Sequence, residues 1–408
     1  MSIQRVKPWA ALIHRDFQLY FTHGVLMGIS RNLRDTLLYL MVYQLSGSAL
    51  QLGLTGLFQA VPVIIAGLLG GAMADSYNRR MLMLVTQVAT LLSGVVLVAL
   101  IVFGHVQVWH LWAMGAFWSA ANTLGRPAQR AYMPRLVPEQ HLMNAITWYG
   151  TLNQGTLFIG PILGAGVMAW AGPAWAFGTD VALVGVGFIA IALVRASGRP
   201  EGTGRGVSLR TIWEGFNYVR TRQALAGALT MDFGVMSFGF FRPLTPILAL
   251  DVYGMGEVGV GILNGAPAVG SILGTFVLLV LGDVRRKGLL VVGANLGYVL
   301  GLGLLGLSAL LAPGWVVFAL VALAGLGLAD AVSFTARQAL IQIVAVDAYR
   351  GRAASLSSII AQLGNATGAS EMGAVAAVAG APGALLINCA IGVGMVGGIT
   401  LLLPGLRR

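Results

Sequence analysis

Gly70-Gly71-Ala72-Met73-Ala74-Asp75-Ser76-Tyr77-Asn78-Arg79-Arg80 is a short polar break between two long apolar runs. The run before it covers residues 49–73 and the run after it residues 81–103. Each reaches the roughly 20 residues that a helix needs to cross a bilayer. An acid and two arginines set between two such runs predict a hairpin of membrane helices whose connecting loop stays in water.

The same alternation continues outward in both directions. Spans are predicted near 16–43, 49–73, 81–103, 107–130, 142–170, 175–194, 224–250, 259–281, 288–311, 315–337, 353–379 and 383–403. Composition agrees: 57% of residues are hydrophobic, 10% are charged and mean hydropathy is +0.82. A soluble chain carries about 25% charged residues. The 57 glycines also suit membrane helices, where small residues let backbones approach. Met1 to Asp16 is polar and basic, and the first apolar stretch is too long for a signal-peptide core, so it predicts a span. The single Cys389 can form no internal disulfide.

Charge orients the spans. Lys and Arg cluster before span one, between spans two and three, at the four–five junction (Arg126, Arg130, Arg135), in the stretch from Arg195 to Arg222, between eight and nine, around ten–eleven (Arg337, Arg350, Arg352) and at the end of the chain. With twelve spans and both termini cytoplasmic, all of these fall on one side, as the positive-inside rule requires. The +11 net charge is therefore read as topology, not as affinity for nucleic acid. The Arg195–Arg222 stretch is rich in glycine and reads as a linker, with a short amphipathic surface helix over 209–218.

The second half repeats the first at an offset of roughly 208. Gly53 aligns with Gly261, Arg34 with Arg242, and Asp75 with Asp283 in Gly282-Asp283-Val284-Arg285-Arg286-Lys287. The expected architecture is an all-α membrane protein of twelve helices in two pseudo-symmetric six-helix bundles. Residues 1–197 form the first, 198–222 a cytoplasmic linker and 223–408 the second. Parallel repeats of this kind place a substrate site between the halves near the midplane.

These motifs resemble a known family. Gly71 and Asp75 meet the Gly-x-x-x-Asp spacing of the loop 2–3 signature of the major facilitator superfamily. Pro127-Ala128-Gln129-Arg130-Ala131-Tyr132-Met133-Pro134-Arg135-Leu136-Val137-Pro138 resembles the span-four ending of its drug and siderophore exporter branch, the macrolide and enterobactin exporter type. Ile159-Gly160-Pro161-Ile162-Leu163-Gly164 resembles the antiporter motif of exporters, and Glu214-Gly215-Phe216-Asn217-Tyr218 matches the same branch. The resemblance implies a major facilitator fold and a proton-coupled exporter of the bacterial inner membrane. That branch usually carries Gly before the acid of span one, where this chain has Arg34. The departure speaks against a purely lipophilic, cationic cargo.

Charge inside a membrane span is costly and marks function by default. Here it comprises Arg31, Arg34, Asp35, Asp180, Asp232, Arg242, Asp330 and Glu371. Arg31 and Asp35 are four apart, so they can pair along one helix face, and His23 falls on nearly the same face as Arg34. Asp35, Arg242 and Glu371 lie at similar depth in outward-running helices, and Arg242 is expected to face Asp35 from the symmetry-related helix. The acids are candidates for proton coupling, in the order Asp35, Glu371, Asp232. Arg31, Arg34, Arg242, His23, Trp118 and Trp148 are candidates for substrate binding. Asp75 with Arg79 and Arg80, and Asp283 with Arg285, are candidates for a loop latch, where an acid can meet neighbouring arginines and a helix N-terminus. Gly71 belongs to the same loop motif. Gly160-Pro161 is a candidate gate, because Pro frees a carbonyl and Gly permits close packing.

The function expected is export of an amphipathic small molecule, drug-like or siderophore-like and compatible with an anion, by alternating access. Rival expectations are a lipid or lysolipid flippase, an uptake carrier (a metal importer included) of the same fold, and a non-transporting membrane sensor. No metal-ligand spacing and no nucleotide-binding loop occurs, so no metal, cofactor or ATP is expected. The chain is expected to be no enzyme, and to be a monomer whose partners are its substrate, protons and membrane lipids.

Overall fold

The computed structural model describes residues 8–199, 209–282, 284, 286–311, 314–403 and 405; within helices, the side chains at 68–72, 74–75, 209–212, 215 and 347–348 are not described. Asp283 and Arg285 thus lie outside the described residues. So does the side chain of Asp75, although the backbone at Gly71 and Asp75 is helical.

The regular elements among the described residues are all helices. The helices are α1 Arg15–Ser46, α2 Ala49–Ser76, α3 Arg79–Val102, α4 Val108–Tyr132, α5 Glu139–Ala171, α6 Pro173–Ala192, α7 Leu209–Arg220, α8 Gln223–Gly239, α9 Gly256–Leu281, α10 Lys287–Leu311, α11 Val316–Val344 and α12 Asp347–Leu402. α12 is two helices. Gly380, at φ 72° and ψ 167°, breaks it two residues before Pro382 and separates a first limb from a second. A positive φ costs glycine little, and Pro then starts the second limb. Among the described residues, nine helical segments are long and apolar enough to cross a membrane, and the last of these holds both limbs of α12. α1 and α4 fall short of that measure. They carry the polar side chains described below.

Span seven is not one helix. α8 stops at Gly239, a 3-10 turn covers Arg242–Leu244, and a π turn covers Leu248–Val252. Pro243 and Pro246 explain the break, since neither has an N–H for the helical ladder. Pro243 leaves the Gly239 carbonyl without its helical donor, and Tyr298 Oη donates to it at 3.0 Å.

Packing gathers the chain into two compact units. One contains Met1–Leu38 and Val61–Val207; the other contains Tyr39–Ala60 and Ser208–Arg408. In the first unit α1 is held by α5 and α6. A methyl group added at Gly160 would sit 2.7 Å from Asn32 Cβ and 2.8 Å from the Ile29 carbonyl oxygen. One added at Gly164 would sit 2.8 Å from Leu33 Cγ. Only a bare backbone at these points lets α5 lie against the stretch of α1 that carries Arg31 and Arg34. Pro161 is buried within the same contact.

Two charges assigned to loops by the topology reading lie within helices. Arg126 lies six residues before the end of α4, and Arg337 lies seven before the end of α11. Each is therefore more than one turn inside its helix. Arg337 is buried and forms an ion pair with Asp232 of α8.

Candidate functional site

The first unit contains an open cleft between α1, α3 and α4. α1 contributes His23, Met27, Ser30, Arg31 and Arg34 to it; α3 contributes Met83, Thr86, Gln87 and Thr90; α4 contributes Trp118, Asn122, Arg126 and Gln129. Arg34 is buried and neutralised. Its Nε donates to Asp180 Oδ2 at 2.8 Å and its Nη2 to Asp180 Oδ1 at 3.0 Å, the bidentate geometry that suits guanidinium to carboxylate. Ser30 Oγ completes the group, donating to Asp180 Oδ1 at 2.5 Å and accepting from Arg34 Nη2 at 2.9 Å. The Trp118 ring lies under the guanidinium, 4.5 Å from Cζ to the centroid, and its Nε1 donates to Ser93 Oγ at 2.9 Å. Trp118 thereby fixes Arg34 by a cation–π contact while lining the cleft.

Arg31 and Arg126 differ from Arg34. Both line the cleft, and each lies within electrostatic reach of the other. Among the described residues neither has an ion-pair partner. Two like charges facing one space are unfavourable unless an anion joins them. Behind them, His23 is buried, with Nδ1 3.2 Å from the Gly187 carbonyl oxygen and 2.8 Å from Gln87 Nε2. Gln87 Oε1 is buried without a hydrogen-bond partner among the described residues.

The other expected residues are distributed as follows. Asp35 is half-buried, one residue beyond Arg34. Trp148 is not among the cleft residues; its Nε1 donates to the Pro8 carbonyl at 2.8 Å, and its ring meets Phe21 edge-on. In the second unit, Arg242 opens the 3-10 turn after α8 and lies within electrostatic reach of Asp330 and Tyr298. Asp232 is buried against Arg337, with Asp232 Oδ2 and Arg337 Nε left without a described partner. Glu371 is half-buried on the first limb of α12 and accepts a hydrogen bond from Asn388 Nδ2 of the second limb at 2.8 Å.

Arg79 and Arg80 occupy the first turn of α3, behind the cap of Asn78. Arg79 Nη1 donates to the Ala131 carbonyl at 3.0 Å, and Arg80 donates to the carbonyls of Ile191 and Ala192. The two arginines therefore bind the C-terminal carbonyls of α4 and α6, where the helix dipole favours cations.

Sequence reasoning passed over Arg126, Gln87, Thr86, Thr90, Asn122 and Gln129 as cleft residues. Arg126 was absorbed into the topology count. The signal available for it was its distance of more than one turn from the end of its span.

The family model described as Major Facilitator Superfamily matches residues 21–369. The chain is 26% identical over 370 residues to the enterobactin exporter EntS of Shigella boydii serotype 18 (strain CDC 3083-94 / BS512), covering 90% of this chain and 86% of that protein. The structure is similar to a POT family transporter in complex with a thioalcohol-conjugated peptide, with TM-score 0.76, 12% identity and 97% of each chain covered. It is similar also to a D-xylose–proton symporter, with TM-score 0.70, 16% identity, and 97% and 99% of the two chains covered.

Proposed function

This chain belongs to the Major Facilitator Superfamily, and from that premise we propose that it is a proton-coupled secondary transporter exporting an amphipathic anion by alternating access. It is a multi-pass membrane protein, and its similarity to enterobactin exporters supports export and a siderophore-like or drug-like cargo. The single observation that carries the anionic cargo is the pair Arg31 and Arg126, which face one cleft without acids of their own. Met27, Met83 and Trp118 supply apolar surface beside them, as an amphipathic ligand requires.

In this reading Arg31 and Arg126 hold the anionic group, Arg34 is held ready by Asp180 and Trp118, and His23 closes the far wall. Asp35 binds the transported proton, with Glu371 and then Asp232 as the alternatives in the second unit. Arg242 serves the second unit. Arg79 and Arg80, with Gly71, Asp75, Asp283 and Arg285, form the loop latches, and Gly160-Pro161 sets how α5 slides on α1. The bodies that rock are 1–197 and 223–408, joined by the linker 198–222. The protein is a monomer of the bacterial inner membrane, has both termini in the cytoplasm and is no enzyme.

The test is transport in proteoliposomes under an imposed pH gradient. The panel contains amphipathic molecules bearing a catecholate, carboxylate or phosphate, with neutral and cationic analogues of the same size. Transport of the anions in preference to both analogues is expected. Preference for the cations overturns the reading.

A further inference from the structure

α7 carries three aromatic side chains and divides them between two faces. Trp213, Phe216 and Arg220 stand at positions i, i+3 and i+7, which share one helix face. Trp213 is 62% exposed and Phe216 40% exposed, and the two rings stack at a centroid distance of 5.5 Å. The other face is tied to the helix that follows in space. Tyr218 stacks on Tyr349 of α12, with centroids 4.3 Å apart and planes 8° from parallel. Its Oη accepts from Val346 N at 3.1 Å. Glu214 pairs with Arg352 of α12 at 3.0 Å, and Arg352 lies over the Tyr349 ring. Val219 is buried.

α7 is therefore anchored without the help of Trp213 or Phe216. Two stacked aromatic rings held out to the surroundings have no role in that anchorage. Thr221 and Arg222 alone separate α7 from α8, so α7 lies at the membrane face from which α8 enters. At that depth large aromatic rings settle among headgroups. Exposed Arg220 and Arg222 stand at the same end of the helix; Arg220 shares the Trp213–Phe216 face, and the Arg222 guanidinium lies 5.5 Å from the Tyr218 ring centroid. Helices with an aromatic face flanked by cations lie in the plane of the membrane surface and favour anionic lipid.

We propose that α7 is a lipid-reading strap: Trp213 and Phe216 insert at the headgroup level, and Arg220 and Arg222 bind the headgroups of anionic lipid. Through Tyr218–Tyr349 and Glu214–Arg352, lipid engagement is passed directly to the start of α12. The surface is independent of the cleft and of what the cleft binds.

The full chain is reconstituted in nanodiscs containing brominated phosphatidylcholine or brominated phosphatidylglycerol. The protein has nine tryptophans, so the Trp213 signal is the difference between the native chain and Trp213→Phe. The expected result is that bromolipid quenches this signal, that aqueous iodide does not, and that the phosphatidylglycerol form quenches more. Arg220→Gln and Arg222→Gln should each reduce the anionic preference by roughly fivefold. A second route uses Phe216→Cys in a Cys389→Ala background, labelled with an environment-sensitive dye, whose emission should shift to the blue on reconstitution. Quenching by iodide with none by bromolipid overturns the proposal, as does a dye that reports water. Equal quenching by the two bromolipids overturns the anionic selectivity.

Discussion

Arg31 and Arg34 lie less than one turn apart on α1, yet only Arg34 is given an acid. Asp180 and Ser30 take Nε and Nη2 of Arg34, so that arginine offers a ligand less charge and fewer donors than Arg31 or Arg126 does. Arg31 and Arg126 have no ion-pair partner among the described residues, and in the proposed function their donors serve the cargo. Hydrogen bonds to charged groups contribute about 1.5–3 kcal/mol, so Arg126→Gln should weaken an anionic cargo by roughly tenfold to a hundredfold. A neutral analogue should bind as before, and titration calorimetry of both on the same preparation checks it. Arg31→Lys should recover part of the loss in Arg31→Gln, because the charge returns without the planar fork. Asp180→Asn makes the opposite kind of change. It leaves the buried Arg34 guanidinium without its counter-charge, and removing one partner of a buried pair costs about 3–5 kcal/mol. A lower melting temperature in detergent is expected, with partial recovery in Arg34→Leu/Asp180→Leu. An unchanged melting temperature in Asp180→Asn would show that the pair carries no stability.

At the scale of the helix, the sequence predicts every span but not where the spans break or which side chains meet between them. Apolar runs and turn residues predict twelve spans, and the gap predicted between 353–379 and 383–403, marked by Pro382-Gly383, falls beside the break that Gly380 makes in α12. α1 and α4 fall short of the hydropathy of a membrane span because they carry charged and polar side chains, among them Arg31, Arg34, Asp35, Asn122, Arg126 and Gln129. The break after α8 was legible only as Pro243 and Pro246, whose effect depends on Tyr298, a partner some sixty residues away that occupies the carbonyl Pro243 leaves open. Arg337 was hidden because a charge near a span end looks like a topology signal until its acid is seen; Asp232 sits on another helix. The glycine contacts were hidden for a similar reason, since composition counts glycines without saying which meet. In the second unit, α2 lies on the first limb of α12 at Gly53 and Gly373. A methyl added at Gly373 would stand 2.5 Å from Gly53 Cα and 2.7 Å from the Ala49 carbonyl oxygen. Both are backbone atoms and cannot turn aside. Gly373→Ala should therefore lower the melting temperature, whereas Gly397→Ala, which meets nothing within 4 Å, should not. Equal effects of the two would show that the close approach is not what holds α2 there.

For the molecule as a whole, orientation and coupling are linked, because a gradient has a sign only once the sides are known. With both termini cytoplasmic, a cysteine placed at position 204, in a Cys389→Ala background, should resist an impermeant thiol reagent added outside intact cells; efficient labelling would reverse the assigned sides. Given that orientation, an anion leaving the cell moves with the membrane potential, at about 2.3 kcal/mol per charge per 100 mV. The proton gradient is a second and separable source of energy. Asp35 is the acid proposed to couple it: a half-buried acid next to Arg34 and one turn from Arg31, the guanidinium proposed to hold the cargo. Proton and cargo then alter one another's binding through the same arginine, and such coupling is reciprocal. Asp35→Asn removes the proton site and leaves Arg31, Arg126 and the apolar wall intact. It should bind cargo with a weakened dependence on pH. It should still move an anion when only a potential is imposed across the vesicle, and fail to accumulate it when only a pH gradient is imposed. Glu371→Gln should do less harm, unless the two acids share one proton and titrate as a pair. An Asp35→Asn protein that still accumulates cargo under a pH gradient alone would exclude Asp35 as the coupling acid, and the same pair of gradients would then be applied to Glu371→Gln and Asp232→Asn.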